Sequence, residues 1–192
     1  MREAAILLTG TGSIGREVLL ALLRRTPNRV ALIVPDRARI PALQRAAAMF
    51  DRLALGRDER ARVDVVRGDV MLPGLGLADD VQRRLAESVE AIVHTETPSL
   101  LRSDLAMRAA ASRSATANAL LLAERCFMAG RLKRFVHVSL ANDGPAPGRR
   151  DNDAERIARA AMHAGLPVTI VRPLNVEFIV DAVAVAVGAR CA

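Results

Sequence analysis

A doubly wound α/β domain, with helices on both faces of a parallel sheet, is the architecture the sequence predicts. Three observations predict it. Apolar, β-branched runs of four to seven residues recur along the chain, longer stretches of helical periodicity separate them, and a glycine cluster follows the first run directly. The 192 residues are 51% hydrophobic and 26% charged, which suits one domain, 1–192, with a sizeable core rather than a disordered chain.

The expected strands are 4–9 "AAILLT", 29–34 "RVALIV", 63–66 "VDVV", 90–94 "EAIVH", 134–139 "RFVHVS" and 168–172 "VTIVR". Their continuous apolar character, without inside-outside alternation, fits strands buried on both faces. Helices are expected between them. Residues 13–25 open at the glycines and stop before Pro27, which cannot continue a helix. Residues 38–55 and 79–88 carry apolar residues at helical spacing, and 103–129 closes at Gly130. Asn152 and Glu155 have the spacing of a capping box for a helix running to His163, with Gly165 and Pro167 as its stop. A last helix is expected around 180–189, and "NDGPAPGRR" at 142–150 has loop composition. Right-handed crossovers then give a three-layer α/β/α arrangement, with ligands at the carboxyl ends of the strands.

The glycine cluster defines the first site. Gly10, Gly12 and Gly15 spell G-x-G-x-x-G between a strand and a helix. In a Rossmann fold this arrangement makes a tight turn, lets backbone approach a pyrophosphate and packs helix on strand. The helix N-terminus adds unpaired N–H groups and a partial positive charge. Gly10, Thr11, Gly12, Ser13, Ile14 and Gly15 are therefore expected to hold a dinucleotide, NAD or NADP. At the end of the second strand, an acid suits the adenosine ribose of NAD and arginines suit the 2′-phosphate of NADP. Asp36 favours the first, Arg37 and Arg39 the second, and the pair Asp36–Arg37 can also simply open the next helix. The choice stays open at this point.

Other function classes find less support. The net charge of +7 comes from arginine, with Lys133 the only lysine, and acids are interspersed ("GRDERARVD"). This reads as solvated faces without aromatic interleaving, and no nucleic-acid partner is expected. No metal site is expected: Cys126, Cys191 and the three histidines lack ligand spacing. His94 and His137 read as structural strand residues. A buried thiol at Cys126, a short apolar N-terminus and a C-terminal run interrupted by Asp181 lead to the expectation of a cytoplasmic protein with no membrane contact. A G-x-S-x-G elbow and a G-x-x-x-x-G-K phosphate loop are both missing from the sequence.

Five further segments resemble the extended short-chain dehydrogenase/reductase superfamily, especially its fatty acyl-CoA reductase and thioester reductase branch. They are "VDVVRGDVMLPGLGLADD" (63–80), "AIVHTET" (91–97), "SATANALLLAERC" (114–126), "RFVHVS" (134–139) and "AGLPVTIVRP" (164–173). Thr9 and the last two of these argue against a methyltransferase, which would share the glycine turn. The resemblance implies that Asp69 and Val70 lie beside the adenine, that His94, Thr95 and Glu96 line the cofactor, and that Ser139 is the catalytic serine. Ala115, Thr116, Asn118 and Leu120 fall in register with the family's G-T-x-N-x-L-x-L-A helix.

Departures from the family pattern are equally informative. The turn "TGTGSIG" is one residue shorter than T-G-x-x-G-x-x-G. The Y-x-x-x-K pair is missing: the lysine position falls at Asp151, the tyrosine position near Pro147, and the chain holds no tyrosine. An aspartate in place of lysine reverses the charge that favours a phenolate. After "VRP" the sequence passes directly to "LNVEFIVDAVAVAV", so the substrate lobe is expected to be missing. At the fourth strand, Glu96 replaces a small residue and its charge would oppose cofactor phosphates. Three functions follow. The first is a reduced dinucleotide-binding or regulatory module without the standard catalysis. The second is an active NAD(P)-dependent oxidoreductase acting on a carbonyl or acyl thioester with Ser139 and other groups. The third is a cofactor-free scaffold for protein interaction. The family's dimer mode implies a homodimer through helices 103–129 and 151–163.

Overall fold

The computed structural model describes residues 5–95, 105–139 and 153–172. Glu96, Pro147, Asp151, Cys191, the segment after "VRP" and the helix expected at 180–189 lie outside these residues. Six strands form one parallel sheet: β1 (Ile6–Thr9), β2 (Val30–Val34), β3 (Val63–Arg67), β4 (Ala91–His94), β5 (Arg134–Val138) and β6 (Val168–Val171). Their order is β3-β2-β1-β4-β5-β6, the doubly wound order that reverses between β1 and β4. Each strand agrees with the expected run to within two residues at either end.

The helices are α1 (Ser13–Arg25), α2 (Ala42–Arg52), α3 (Arg57–Ala61), α4 (Asp79–Ser88), α5 (Leu105–Met128) and α6 (Asp153–His163). Alternate strand residues supply two cores, one on each face of the sheet. Leu8, Leu32 and Val136 pack with Val18, Leu19, Ala46 and Phe50 of α1 and α2. Leu7, Ile33, Ile92 and Phe135 pack with Leu85 of α4, Ala119 and Ala123 of α5 and Ala158 of α6. The alanine-rich interior of α5 lets it approach the sheet and α6 closely. No helix among the described residues is long and apolar enough to cross a membrane.

The helix expected over 38–55 is shorter and is followed by a second one. Residues 37–40 form a tight turn closed by an Arg37–Ile40 bridge, with Ala38 and Arg39 at positive φ, and Pro41 caps α2. Ala54 at positive φ ends α2, and Gly56 with Glu59 starts α3 through a Glu59 Oε2 acceptor for the Gly56 N–H. Helical periodicity alone does not reveal these interruptions, because Ala and Arg seldom adopt left-handed backbone.

Candidate functional site

The glycine turn lies at the carboxyl end of β1, at the reversal of strand order. Gly10 has φ of 125°, a conformation costly for any side chain. A Cβ on Gly15 would stand 2.1 Å from the Gly10 carbonyl oxygen, so only glycine lets α1 start this close to the turn. Above Gly12, by contrast, a Cβ would meet nothing within 4 Å, so the backbone there faces open space of the kind a pyrophosphate needs. The first turn of α1 holds Ser13 and Ile14 and carries no acid, leaving its N–H groups and dipole uncancelled.

A buried polar ladder supports this turn from beneath. Thr9, His94 and His137 occupy matching positions on β1, β4 and β5. The Thr9 hydroxyl is 2.7 Å from His94 Nδ1, and His94 Nε2 is 3.1 Å from the Thr116 hydroxyl on α5. The Thr95 hydroxyl donates to the Thr9 carbonyl at 3.0 Å, as does the Thr95 N–H. His94 and His137 stack with ring centroids 5.6 Å apart. Burial holds both neutral, pushing His94 down to about 3 and His137 to about 4. Neither ring nitrogen of His137 has a hydrogen-bond partner.

Two crevices flank the end of β2. One, of about 880 Å³, runs past Pro35, Asp36, Arg67, Gly68 and Asp69 along the outer edge of β3. Asp36 Oδ1 accepts the Ala42 N–H at 2.7 Å and Oδ2 pairs with Arg67 Nε at 2.6 Å, so the acid both caps α2 and neutralises an arginine. Asp69 Oδ1 accepts the Met71 N–H, and buried Val70 presents its carbonyl to Asn118 Nδ2 at 2.8 Å. Thus α5 braces two walls, reaching Thr9 through Thr116 and His94 and reaching Val70 through Asn118. The second crevice, about 330 Å³, opens between α1 and α2 beside Thr11 and Val34. Arg37 and Arg39 stand exposed on the turn between these crevices.

At the far side, Ser139 is buried at the end of β5. Its hydroxyl donates to Glu155 Oε2 of α6 at 3.1 Å. Arg172 bonds both oxygens of the same carboxylate, and Arg159 bonds Oε1 at 2.9 Å. Arg172 first, with Arg159 and Ser139, holds Glu155 down to about 2, so it is ionised at neutral pH and a poor base. The glycine turn is open, whereas Ser139 is tied into a charged knot. Sequence reasoning missed Arg172 and Arg159 as its partners, although Arg172 belongs to the "VRP" segment that carries the resemblance. Cys126 is buried against Leu85, and burial pushes its thiol up to about 12; among the described residues no group of His, Cys, Asp and Glu has the makings of a metal site.

Strand order and glycine turn define a Rossmann domain of the dinucleotide-binding type. Residues 8–146 match the NAD-binding family described as male sterility protein, and the chain belongs to that family. It is 26% identical over 148 residues to the fatty acyl-CoA reductase wat of Drosophila melanogaster, covering 73% of this chain and 28% of that protein. It is 33% identical over 161 residues to an isonitrile lipopeptide synthase of Mycobacterium tuberculosis (strain ATCC 25618 / H37Rv), covering 78% of this chain and 6% of that one. In structure it resembles the terminal R domain of the myxalamid PKS-NRPS biosynthetic pathway, with a TM-score of 0.71 and 29% identity over 90% of this chain and 50% of that chain. The chain thus spans half or less of the length of each of these three relatives.

Proposed function

We propose that this chain is a dinucleotide-binding module of the thioester reductase branch that does not perform the family's standard hydride chemistry, acting as a binding or regulatory component. Gly10, Thr11, Gly12, Ser13, Ile14 and Gly15 hold the pyrophosphate, Asp69 and Val70 flank the adenine, and His94 and Thr95 support the cofactor cleft from beneath, with Glu96, outside the described residues, assigned to the same cleft by the resemblance. The observation that carries the loss of catalysis is the state of Ser139. In a chain without tyrosine, the remaining candidate hydroxyl spends its proton on Glu155, a carboxylate that three partners keep ionised. A serine held in this way does not polarise a carbonyl. Incubation with NADPH or NADH and a panel of aldehydes, ketones and acyl thioesters tests this. No cofactor oxidation above the blank is expected, and turnover that Ser139→Ala abolishes contradicts it.

The cofactor we infer is NADP(H). Both oxygens of Asp36 are engaged within the protein, which weakens the case for a ribose hydroxyl there, and Arg37 and Arg39 flank the same position. A homodimer through α5 is part of the same reading. Met107, Ser114, Leu121 and Met128 stand exposed at seven-residue intervals along one side of this helix, a spacing suited to helix-on-helix packing. Sedimentation of the protein against Leu121→Glu checks it, with the variant expected to be monomeric.

A further inference from the structure

The loop that carries Asp69 and Val70 is held by side chains that have no role in the functional reading so far. Gly74, Leu75 and Gly76 lie in succession at φ of 60°, 60° and 62°. Leu75 bears a side chain in this sparsely populated region and is fully buried. The turn closes on Asp69, whose N–H donates to the Leu75 carbonyl at 2.7 Å. Asp69 Oδ1 accepts the Met71 N–H, which leaves Oδ2 without a partner among the described residues on the wall of the crevice of about 880 Å³. Backbone of this kind persists only where its surroundings over-determine it. Gln82 of α4 is buried against Gly74, where a Cβ would stand 2.6 Å from its amide nitrogen. Its Nε2 donates to the Leu77 carbonyl at 2.9 Å, and its Oε1 accepts from Arg125 Nη1 of α5 at 2.8 Å. The amide is thus engaged at both ends, and a flip would lose both bonds. Gly76 and Leu77 line the crevice with Asp69, whereas Gly74, Gln82 and Arg125 line a second groove of about 330 Å³. The turn stands between two spaces, and Gln82 and Arg125 brace it from the side away from Asp69.

We propose that Gln82 and Arg125 are positioning residues for purine recognition. Acting through the turn at 74–77, they fix the place of Asp69 and so the choice between adenine and a base that lacks its exocyclic amine. The assignment rests on the dinucleotide-binding reading above, in which Asp69 and Val70 flank the adenine. A carboxyl oxygen without a protein partner accepts a hydrogen bond from an amine and opposes the carbonyl oxygen that hypoxanthine carries in its place. An Asp69 held still therefore favours adenine, and an Asp69 free to shift gives up that preference before it gives up binding. Neither Gln82 nor Arg125 has to touch the base for this, because the chain of contacts runs from Arg125 to Gln82, to the Leu77 carbonyl and Gly74, and through Leu75 to the Asp69 N–H.

Calorimetric titrations of the intact protein with NADPH and with its hypoxanthine analogue test this. The wild-type chain is expected to bind NADPH at least about fivefold more tightly than the analogue. In Arg125→Ala the affinity for NADPH is expected to fall about fivefold and that for the analogue by less than about twofold, so the preference is nearly lost. Arg125→Lys, which keeps a donor for Gln82, is expected to retain it. Gln82→Ala is expected to act in the same direction, and Arg125→Ala, at an exposed side chain, keeps the test decisive where the buried variant does not fold. Glu124→Ala, an exposed neighbour on α5, is expected to leave both affinities unchanged. Equal losses for the two ligands, a preference that survives Arg125→Ala, or equal wild-type affinities overturn the proposal while the dinucleotide reading stands. If the wild-type chain binds neither ligand, the dinucleotide reading itself fails and the proposal falls with it.

Discussion

The two ends of the switch between strands are built from similar materials to opposite effect. At the β1 end, Thr9, His94, Thr95 and Thr116 satisfy one another below the surface, so the glycine turn above Gly12 is left open. At the β5 end, Ser139, Glu155, Arg159 and Arg172 also satisfy one another, but the group they consume is the hydroxyl that chemistry would need. A buried polar network can expose a site or occupy it. Which it does depends on whether the reactive group is a member of the network or is only supported by it.

The sharpest way to break the open end is Gly15→Val. Its side chain would collide with the Gly10 backbone, so a loss of roughly 3 kcal/mol or more in stability is expected, together with loss of dinucleotide binding, measured by urea unfolding and titration. The closed end is tested by Glu155→Ala. This removes the carboxylate that Arg159, Arg172 and the Ser139 hydroxyl share and is expected to cost about 2 kcal/mol in urea unfolding, discounted for solvent screening of the half-exposed arginines.

Acid titrates the two ends in different windows. His94 and His137 are depressed in the folded state, to about 3 and about 4, from an unfolded value of 6.5. Their neutral forms therefore contribute stability that is fully present above pH 6.5 and is lost as pH falls toward the folded values. The unfolded chain takes up the protons first, at up to about 1.4 kcal/mol per pH unit per histidine. Glu155 is also depressed, from 4.5 to about 2, so its contribution persists down to 4.5 and is lost below it. Unfolding followed across pH 6.5 to 4.5 should thus report the histidines alone. Because His137 has no partner to lose, His137→Phe is expected to keep stability within about 1 kcal/mol at neutral pH and to flatten the acid limb. Smaller still, Asn118→Ala removes the bond to the Val70 carbonyl and is expected to cost about 1 kcal/mol and a few-fold in dinucleotide affinity, measured by urea unfolding and titration.

Strand and helix identities were legible because periodicity and punctuation agree: α1 and α4 run over the expected residues, and every strand but β3, which extends one residue further to Arg67, falls within its run. What escaped depends on geometry that one-dimensional patterns do not carry. The 37–40 turn and the break before α3 use Ala38, Arg39 and Ala54 at positive φ, where neither glycine nor asparagine announces a turn. The ladder through Thr9, His94 and His137 follows from strand register, which places residues 85 and 43 positions apart side by side. The arginines read as dispersed along solvated faces, yet Arg16 and Arg52, far apart in sequence, meet Arg45 at one crevice because α1 and α2 share a face of the sheet. At the candidate site, the glycine turn was legible by motif, while the binding of Ser139 to Glu155 required knowing that α6 packs beside β5.

The account rests on a cofactor site that is open beside a serine that is closed. Titration of NADPH into the intact protein, with the nicotinamide absorbance followed in the presence of an acyl thioester and its aldehyde, tests both halves at once. Saturable binding with no change in absorbance over hours is the predicted result. Turnover dependent on Ser139, or the absence of any binding at millimolar NADPH, would contradict it.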